Sequence, residues 1–333
     1  MKNLIVINKS KNPWFNLAFE EYLLNNLMSY EHILFLWQNQ NTVVIGKNQN
    51  PWRECRTNLL EEEGGKLARR STGGGAVFHD LGNLNFSFIM PRANQDFKEQ
   101  AEIIIEAAAK FNIEAFVNGR NDIVTNEGKF SGNAFAFKKE RALHHGTVLI
   151  DVDKKKLGRY LQVSKEKMQA KGVKSVQSRV VNLKEYKQDL SVEDFKKALV
   201  EAFVDRLGPA NIIDEDKEDL YASHNLDKQE IDKLYELYSS WDFRYGQAPT
   251  FDLEWINRFP WGGVEIHLTF KNGIIITSKI YSDALDLQFV KDLEESFDQV
   301  PFKKEAILKA LDEKLPSSSM KKDIMEFIES KEI

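Results

Sequence analysis

The chain has a single cysteine, Cys55, in 333 residues. One thiol can form no intrachain disulfide and offers no cysteine set for structural zinc. Long apolar runs are missing as well. None approaches the ~20 residues a membrane helix needs, and the apolar part of Met1-Lys2-Asn3-Leu4-Ile5-Val6-Ile7-Asn8 is too short for a signal peptide. A cytoplasmic location without membrane attachment is expected. Positive charge is not in excess: 46 Lys and Arg stand against 51 Asp and Glu, a net charge of −5. That balance argues against a dedicated nucleic-acid binder. Internal repeats and low-complexity tracts are absent. The chain also lacks both common phosphate-loop signatures: no glycine is followed by Lys-Ser/Thr as in a Walker A loop, and Phe78 stands where a Rossmann fingerprint needs its third glycine.

What is present begins with Ala68-Arg69-Arg70-Ser71-Thr72-Gly73-Gly74-Gly75-Ala76-Val77-Phe78-His79-Asp80. Glycines lack Cβ and tolerate positive φ, so a ligand can approach their backbone closely. Their N–H groups can cradle an anion, and Arg70 can pair with a phosphate or carboxylate. The 42% hydrophobic content, with 22 Phe, is enough for a substantial core. The length suits one large domain and a smaller one.

Apolar patterning predicts strands at residues 4–7, 32–37, 42–45, 66–69 and 83–90. Helices are expected at 15–28, 51–63 (opened by Pro51) and 97–111. Several strands fill 114–150, with breaks at Gly119, Gly128, Gly132 and Gly146. A helix at 191–207 starts from Ser191 as cap, and another spans 226–241. Residues 245–249 form the expected domain boundary. A hairpin follows, 263–270 and 274–281 around Asn272-Gly273, then three helices. Strands grouped together, with helices between some of them, indicate an α+β fold rather than a regular βαβ repeat. Residues 151–187 hold eleven Lys or Arg against four Asp or Glu, a local basic stretch.

A second constellation lies at Gly119-Arg120-Asn121-Asp122, Gly128-Lys129-Phe130-Ser131-Gly132-Asn133 and His144-His145-Gly146-Thr147. Lys129 starts an alternating strand between two glycine-marked turns and can meet a phosphate or carboxylate as a point charge. On one strand, His144 and His145 point to opposite faces, so at most one should face a ligand.

These runs, with 12–21, 35–46, 50–55, 171–182 and Trp261-Gly262-Gly263-Val264-Glu265, resemble the two-domain bacterial lipoate–protein ligases over nearly the whole chain. The resemblance implies a large catalytic domain (1–246) of the biotin/lipoate ligase type, with mixed sheets flanked by helices. A small α+β accessory domain (247–333) follows. It implies that ATP and lipoate, with Mg²⁺, give lipoyl-AMP and pyrophosphate. A lysine of a lipoyl domain then takes the lipoyl group and AMP leaves. Acceptors would be lipoyl domains of 2-oxoacid dehydrogenase acyltransferase subunits or the glycine-cleavage H protein. A monomer is expected. The resemblance assigns ATP or lipoyl-AMP binding to Arg70, Gly75, Ala76, Val77, Phe78 and Lys129. It assigns lipoate binding to Lys129, Ser71, Gly73, Gly74 and His79, and an adenylate loop to Lys171, Gly172, Val173, Ser175, Val176 and Arg179. Lys129 and Arg70 would carry catalysis by neutralising the two anions that meet in the first step. Asn121 or Asp122 could hold Mg²⁺ or the nucleotide, or only form a turn; Asp122 is the candidate metal ligand. His79 and His145 could polarise groups in the pocket, and Phe35, Trp37, Phe86 and Phe88 could wall the acyl tail or be plain core. Thr72 stands where serine is common in the family, with the hydroxyl retained.

The nearest rival is an octanoyl or lipoyl transferase of the same fold, acting between carrier proteins. It needs a cysteine thiolate, and Cys55 lies in an expected helix before the glycine loop. The Gly-Arg-Gly-Arg loop of a biotin–protein ligase is absent. A non-catalytic binder of lipoyl domains would leave Lys129 and the glycine loop unexplained.

Overall fold

The computed structural model describes residues 2–119, 121–162, 180–214, 226–245, 252–271 and 273–331. Its main element is an eight-stranded sheet. In chain order its strands are β1 (Asn3–Ile7), β2 (His32–Trp37), β6 (Asn83–Pro91), β7 (Phe116–Asn118), β8 (Asp122–Thr125), β9 (Gly128–Phe137), β10 (Arg141–Leu149) and β11 (Ala210–Asp214). The spatial order is β11-β1-β2-β6-β10-β9-β8-β7. β1 pairs in parallel with β2 and β11, and the pairings from β2 through β7 are antiparallel. The mixed sheet agrees with the α+β expectation.

Strand alternation decides which residues face which layer. Leu34, Leu36, Phe86 and Phe88 pack with α4 (Phe97–Ala109) and α6 (Val192–Leu207) in one core. Ile33, Phe35 and Trp37 pack in another, with α1 (Pro13–Asn26) and α7 (Lys228–Ser239). Ser191 and Asp194 form the capping box of α6. A second, three-stranded sheet, β4-β3-β5, consists of β3 (Thr42–Ile45), β4 (Lys66–Arg69) and β5 (Val77–His79). Its Val44 and Ala68 lie in the core of α1.

Residues 253–282 form an antiparallel meander of β12 (Leu253–Phe259), β13 (Gly262–Lys271) and β14 (Ile274–Ser282). With α9 (Leu287–Glu295), α10 (Lys304–Lys314) and α11 (Ser319–Glu329) it closes its own core around Ile266, Ile280, Leu293, Leu311 and Ile328. This unit touches the glycine run: the Ser282 N–H donates to the Asn48 carbonyl at 2.6 Å. A Cβ added at Gly73 would sit 2.4 Å from the Ala284 carbonyl oxygen.

Several sequence expectations are corrected. The first helix starts earlier, because Asn12 caps it and Pro13 takes its first position. The expected 51–63 helix is two short ones, α2 (Pro51–Glu54) and α3 (Thr57–Glu62). Between them Cys55 turns extended and bridges Leu161. β2 and β3 enter different sheets. Gly132 and Gly146 lie inside β9 and β10 rather than breaking them. Both allow close approach: a Cβ at Gly146 would meet Asn133 and Phe86 atoms at 2.6 Å. Strands β5, β11 and β12 were not expected. Of the basic stretch, α5 (Lys154–Tyr160) is a capped helix, whereas 163–179 fall outside the described residues. The expected boundary at 245–249 lies almost wholly outside them too.

Candidate active site

A cavity of about 160 Å³ opens where the glycine run crosses the face of the main sheet. The sheet supplies its floor as a row across neighbouring strands. Trp37 pairs with Asn85, and Asn85 with Thr147. The Thr147 hydroxyl accepts from the Gly132 N–H at 3.3 Å, and Gly132 pairs with Asp122. Gly74, Gly75, Ala76 and Val77 form the opposite wall, with Leu17, Val44 and Ala134 as apolar lining.

Lys129 stands at one end of this row. Its ammonium pairs with the Asp122 carboxylate at 2.6 Å, both groups partly exposed. Its stem crosses Gly132, where an added Cβ would lie 2.8 Å from Nζ. Glycine therefore fixes where the charge can sit. A test follows from this contact. Gly132→Ala is expected to cut ligase turnover about tenfold by moving the ammonium roughly 1 Å, with Tm unchanged within about 2 °C, since the displaced group is the tip of a flexible chain. Normal turnover in that variant would show that the position of Lys129 is not critical.

Arg70 lines the cavity but directs its guanidinium at the loop. It donates to the Gly73 carbonyl at 2.7 Å, the Gly75 carbonyl at 2.8 Å, the Thr72 hydroxyl at 3.0 Å and the Val44 carbonyl at 3.3 Å. Burial pulls it down to about 10, so it remains cationic at neutral pH, and the field of Glu20 favours that charge. The arrangement makes Arg70 a brace of the glycine loop. Four of its contacts are internal, whereas the resemblance implies a direct phosphate ligand.

Thr72 links this brace to a buried chain. Its hydroxyl donates to His145 Nε2 at 2.8 Å, and His145 Nδ1–H donates to Glu20 at 2.9 Å. Ser87 donates to the same carboxylate and accepts from Trp37 Nε1–H at 3.0 Å. Hydroxyl, imidazole and carboxylate follow one another as in a hydrolase triad. Thr72 is 0% exposed, however, so its oxygen reaches no substrate. The chain fixes wall positions; it does not present a nucleophile.

The two adjacent histidines divide as alternation requires. His145 lines the cavity, whereas His144 faces the other core and bonds Gln100 and Asn133. Gly74, Gly75, Ala76, Val77, His79 and Lys129 also line the cavity. Ser71, Gly73 and Phe78 do not: Phe78 packs on Tyr160 with ring centroids 5.5 Å apart. Asn121 lines it and is bonded to the Asn133 carbonyl at 2.6 Å. Lys171, Gly172, Val173, Ser175, Val176 and Arg179 lie outside the described residues. Of the four aromatics, Trp37 alone lines the cavity; Phe35, Phe86 and Phe88 are core. Asn85 was missed, and Thr147 was quoted in its run without a role. The signal was there, since Asn83, Asn85 and Ser87 alternate with Leu84, Phe86 and Phe88 in a strand buried almost throughout. Cys55 is 1% exposed, sits in a separate core with Val43, Leu60 and Tyr160, and has its thiol pushed up to about 12 by burial.

The family model for the lipoyl protein ligase A/B catalytic domain matches residues 12–204, and that for the bacterial lipoate protein ligase C-terminus matches 248–330. The chain belongs to the lipoate–protein ligase family. It is 41% identical over 314 residues to lipoate-protein ligase A of Psychrobacter cryohalolentis, covering 94% of this chain and 93% of that protein. Among solved structures it is similar to P. falciparum LipL1 in complex with lipoate. That match has a TM-score of 0.86 and 32% identity, over 99% of this chain and all of the other. A lipoate-protein ligase A bound with ATP matches at TM-score 0.60 and 25% identity, over 74% of this chain and all of that one. The ligase thus shares the catalytic fold of its relatives along nearly its full length. Among its described residues no helix is long and apolar enough to cross a membrane.

Proposed function

We propose that this ligase works in two steps. Lipoate attacks the α-phosphorus of ATP to give lipoyl-AMP and pyrophosphate; the amine of a lipoyl-domain lysine then attacks the acyl carbonyl and releases AMP. The observation that carries the reading is the placement of Lys129. One ammonium, poised by Asp122 and Gly132, stands at the end of a narrow cavity that no other described lysine lines. Two anions must meet in the first step, and a preorganised cation lowers that barrier most in the transition state. The loop at 74–75 supplies backbone close to the ligand, and Arg70 holds it in shape.

Asp122 is a carboxylate at this end of the cavity and suits Mg²⁺, which is commonly held by one or two carboxylates plus substrate phosphates. The ion would neutralise phosphate charge beside Asp122. The basic segment at 171–179 would contribute to binding the adenylate. Residues 1–246 act as the catalytic domain and 247–333 as the accessory domain. Acceptors are lipoyl domains of 2-oxoacid dehydrogenase acyltransferase subunits or the glycine-cleavage H protein. The enzyme works as a cytoplasmic monomer in lipoate salvage.

The test is lipoate-dependent exchange of labelled pyrophosphate into ATP, with no acceptor present. Exchange is expected. Its absence, in protein that still moves acyl groups between carrier proteins, would favour a transferase. Cys55→Ser separates the two further. A thiol buried and held protonated is no nucleophile, so the variant is expected to exchange within about twofold of the parent per folded molecule. Loss of activity in a folded Cys55→Ser protein would return the thiol to the mechanism.

A further inference from the structure

His79 carries an unused hydrogen-bond donor, and the hydrogen bonds around it fix which nitrogen holds the proton. Asn16 Nδ2 lies 3.1 Å from the Ser10 carbonyl and 2.9 Å from the Gln38 carbonyl. Carbonyls only accept, so that atom is the amide nitrogen. The Asn39 atom 2.9 Å from it is therefore the oxygen, which makes the other end of Asn39 a donor. That donor meets His79 Nδ1 at 3.1 Å. Nδ1 accepts, and the imidazole proton is on Nε2. Burial, with Arg70 and His145 adding to it, pulls the imidazole down to about 3, so it is neutral and carries one proton.

The Nε2–H has no partner among the described residues, although His79 is 3% exposed and lines the cavity. Asn85 Nδ2, also on the lining, has none either. A buried donor left unmade costs on the order of 1–3 kcal/mol, so a ligand that supplies an acceptor there is favoured. The position is defined by the row across the sheet. His79 stands edge-on to Trp37 with ring centroids 6.3 Å apart, and Trp37 begins the row that ends at Lys129 and Asp122. Asn85 is two strands from β9, about 10 Å at the usual strand spacing. An acyl chain with its carboxyl at Lys129 brings its far end to His79.

We propose that His79 selects an acyl tail bearing an acceptor atom, the dithiolane sulfur of lipoate, over a hydrocarbon tail of the same shape. The proposal rests on the reading of this cavity as the acyl pocket. Sulfur is a weak acceptor, but the alternative is a donor buried against methylene. Sites that hydrogen-bond a substrate reject analogues lacking the group, because their own polar atoms are then unpaired.

The experiment measures equilibrium binding of lipoate and of 5-cyclopentylpentanoate, which keeps the ring and chain but has no sulfur. Wild-type protein is expected to hold lipoate about tenfold more tightly, the scale of one modest hydrogen bond. His79→Leu should shrink that ratio below about threefold, while His79→Gln, which keeps an N–H donor, should restore part of it. Equal affinities in the wild type, or an unchanged ratio in His79→Leu, would overturn the proposal. Equal affinities in the wild type overturn the proposal even if His79→Leu does not fold, and the ratio in His79→Gln then carries the assignment to His79. Binding of neither acid would instead overturn the reading of the cavity.

Discussion

Lys129→Ala is expected to lower lipoate-dependent pyrophosphate exchange by at least ~10²-fold, the usual loss when a preorganised electrostatic group is removed. Its thermal unfolding should stay within about 2 °C of the parent. The two halves of this expectation have separate origins. The Lys129 ammonium is partly exposed and, among the described residues, pairs with Asp122 alone. Such pairs contribute at most about 1 kcal/mol. The strand itself is held by backbone pairing that alanine keeps, including the Lys129 carbonyl accepting from the Val181 N–H at 2.9 Å. The catalytic loss arises because no other described lysine lines the cavity, and the guanidinium of Arg70 is turned toward the glycine loop. Lys129→Arg is expected to recover little, since a planar fork does not fit the gap over Gly132 that a linear stem fills. Exchange within tenfold of normal by folded Lys129→Ala would remove Lys129 from the chemistry and leave the glycine loop to account for it.

The sequence made much of this site readable, for identifiable reasons. Gly74, Gly75, Lys129 and His145 were marked by local features: a glycine run, a lysine opening an alternating strand, and paired histidines on opposite faces. The fold class was legible from strand grouping. The roles of the two arginines were not, because they depend on partners far along the chain. Arg70 could be seen as a cation beside a loop, yet burial and the carbonyls of Val44, Gly73 and Gly75 make it a brace. The break of the second helix at Cys55 was hidden for the same reason, since its extended backbone answers Leu161, over a hundred residues later. Glu20, deep in an apolar helix, gave no sign that it would anchor His145 and Ser87.

Arg69 supports the opposite expectation to Lys129. Adjacent to Arg70 at the end of β4, it points the other way and spends its guanidinium on five backbone carbonyls. Nη1 serves Gly46 at 3.2 Å, Lys47 at 2.9 Å and Gln49 at 2.7 Å; Nε serves Phe243 at 2.9 Å, and Nη2 serves Arg244 at 2.9 Å. One side chain thus ties the 46–49 loop to α8 (Trp241–Arg244), and that same loop accepts from Ser282. Burial pulls the guanidinium down to about 10, still charged at neutral pH. Removing it strands several acceptors in a largely buried place, each costing about 1–3 kcal/mol before water relieves some of them. Arg69→Ala is therefore expected to destabilise by at least ~3 kcal/mol, a fall in Tm of roughly 4 °C or more for a chain of 333 residues. Arg69→Lys should recover little, because three donors on one nitrogen cannot reach two segments. Exchange per folded molecule should fall less than about tenfold, since the Arg69 side chain does not line the cavity. Calorimetric unfolding and exchange on the same preparations separate the role of Arg69 from that of Lys129. A stable Arg69→Ala protein with its exchange abolished would mean that the 46–49 loop acts in the reaction itself, through the face it shares with the glycine run.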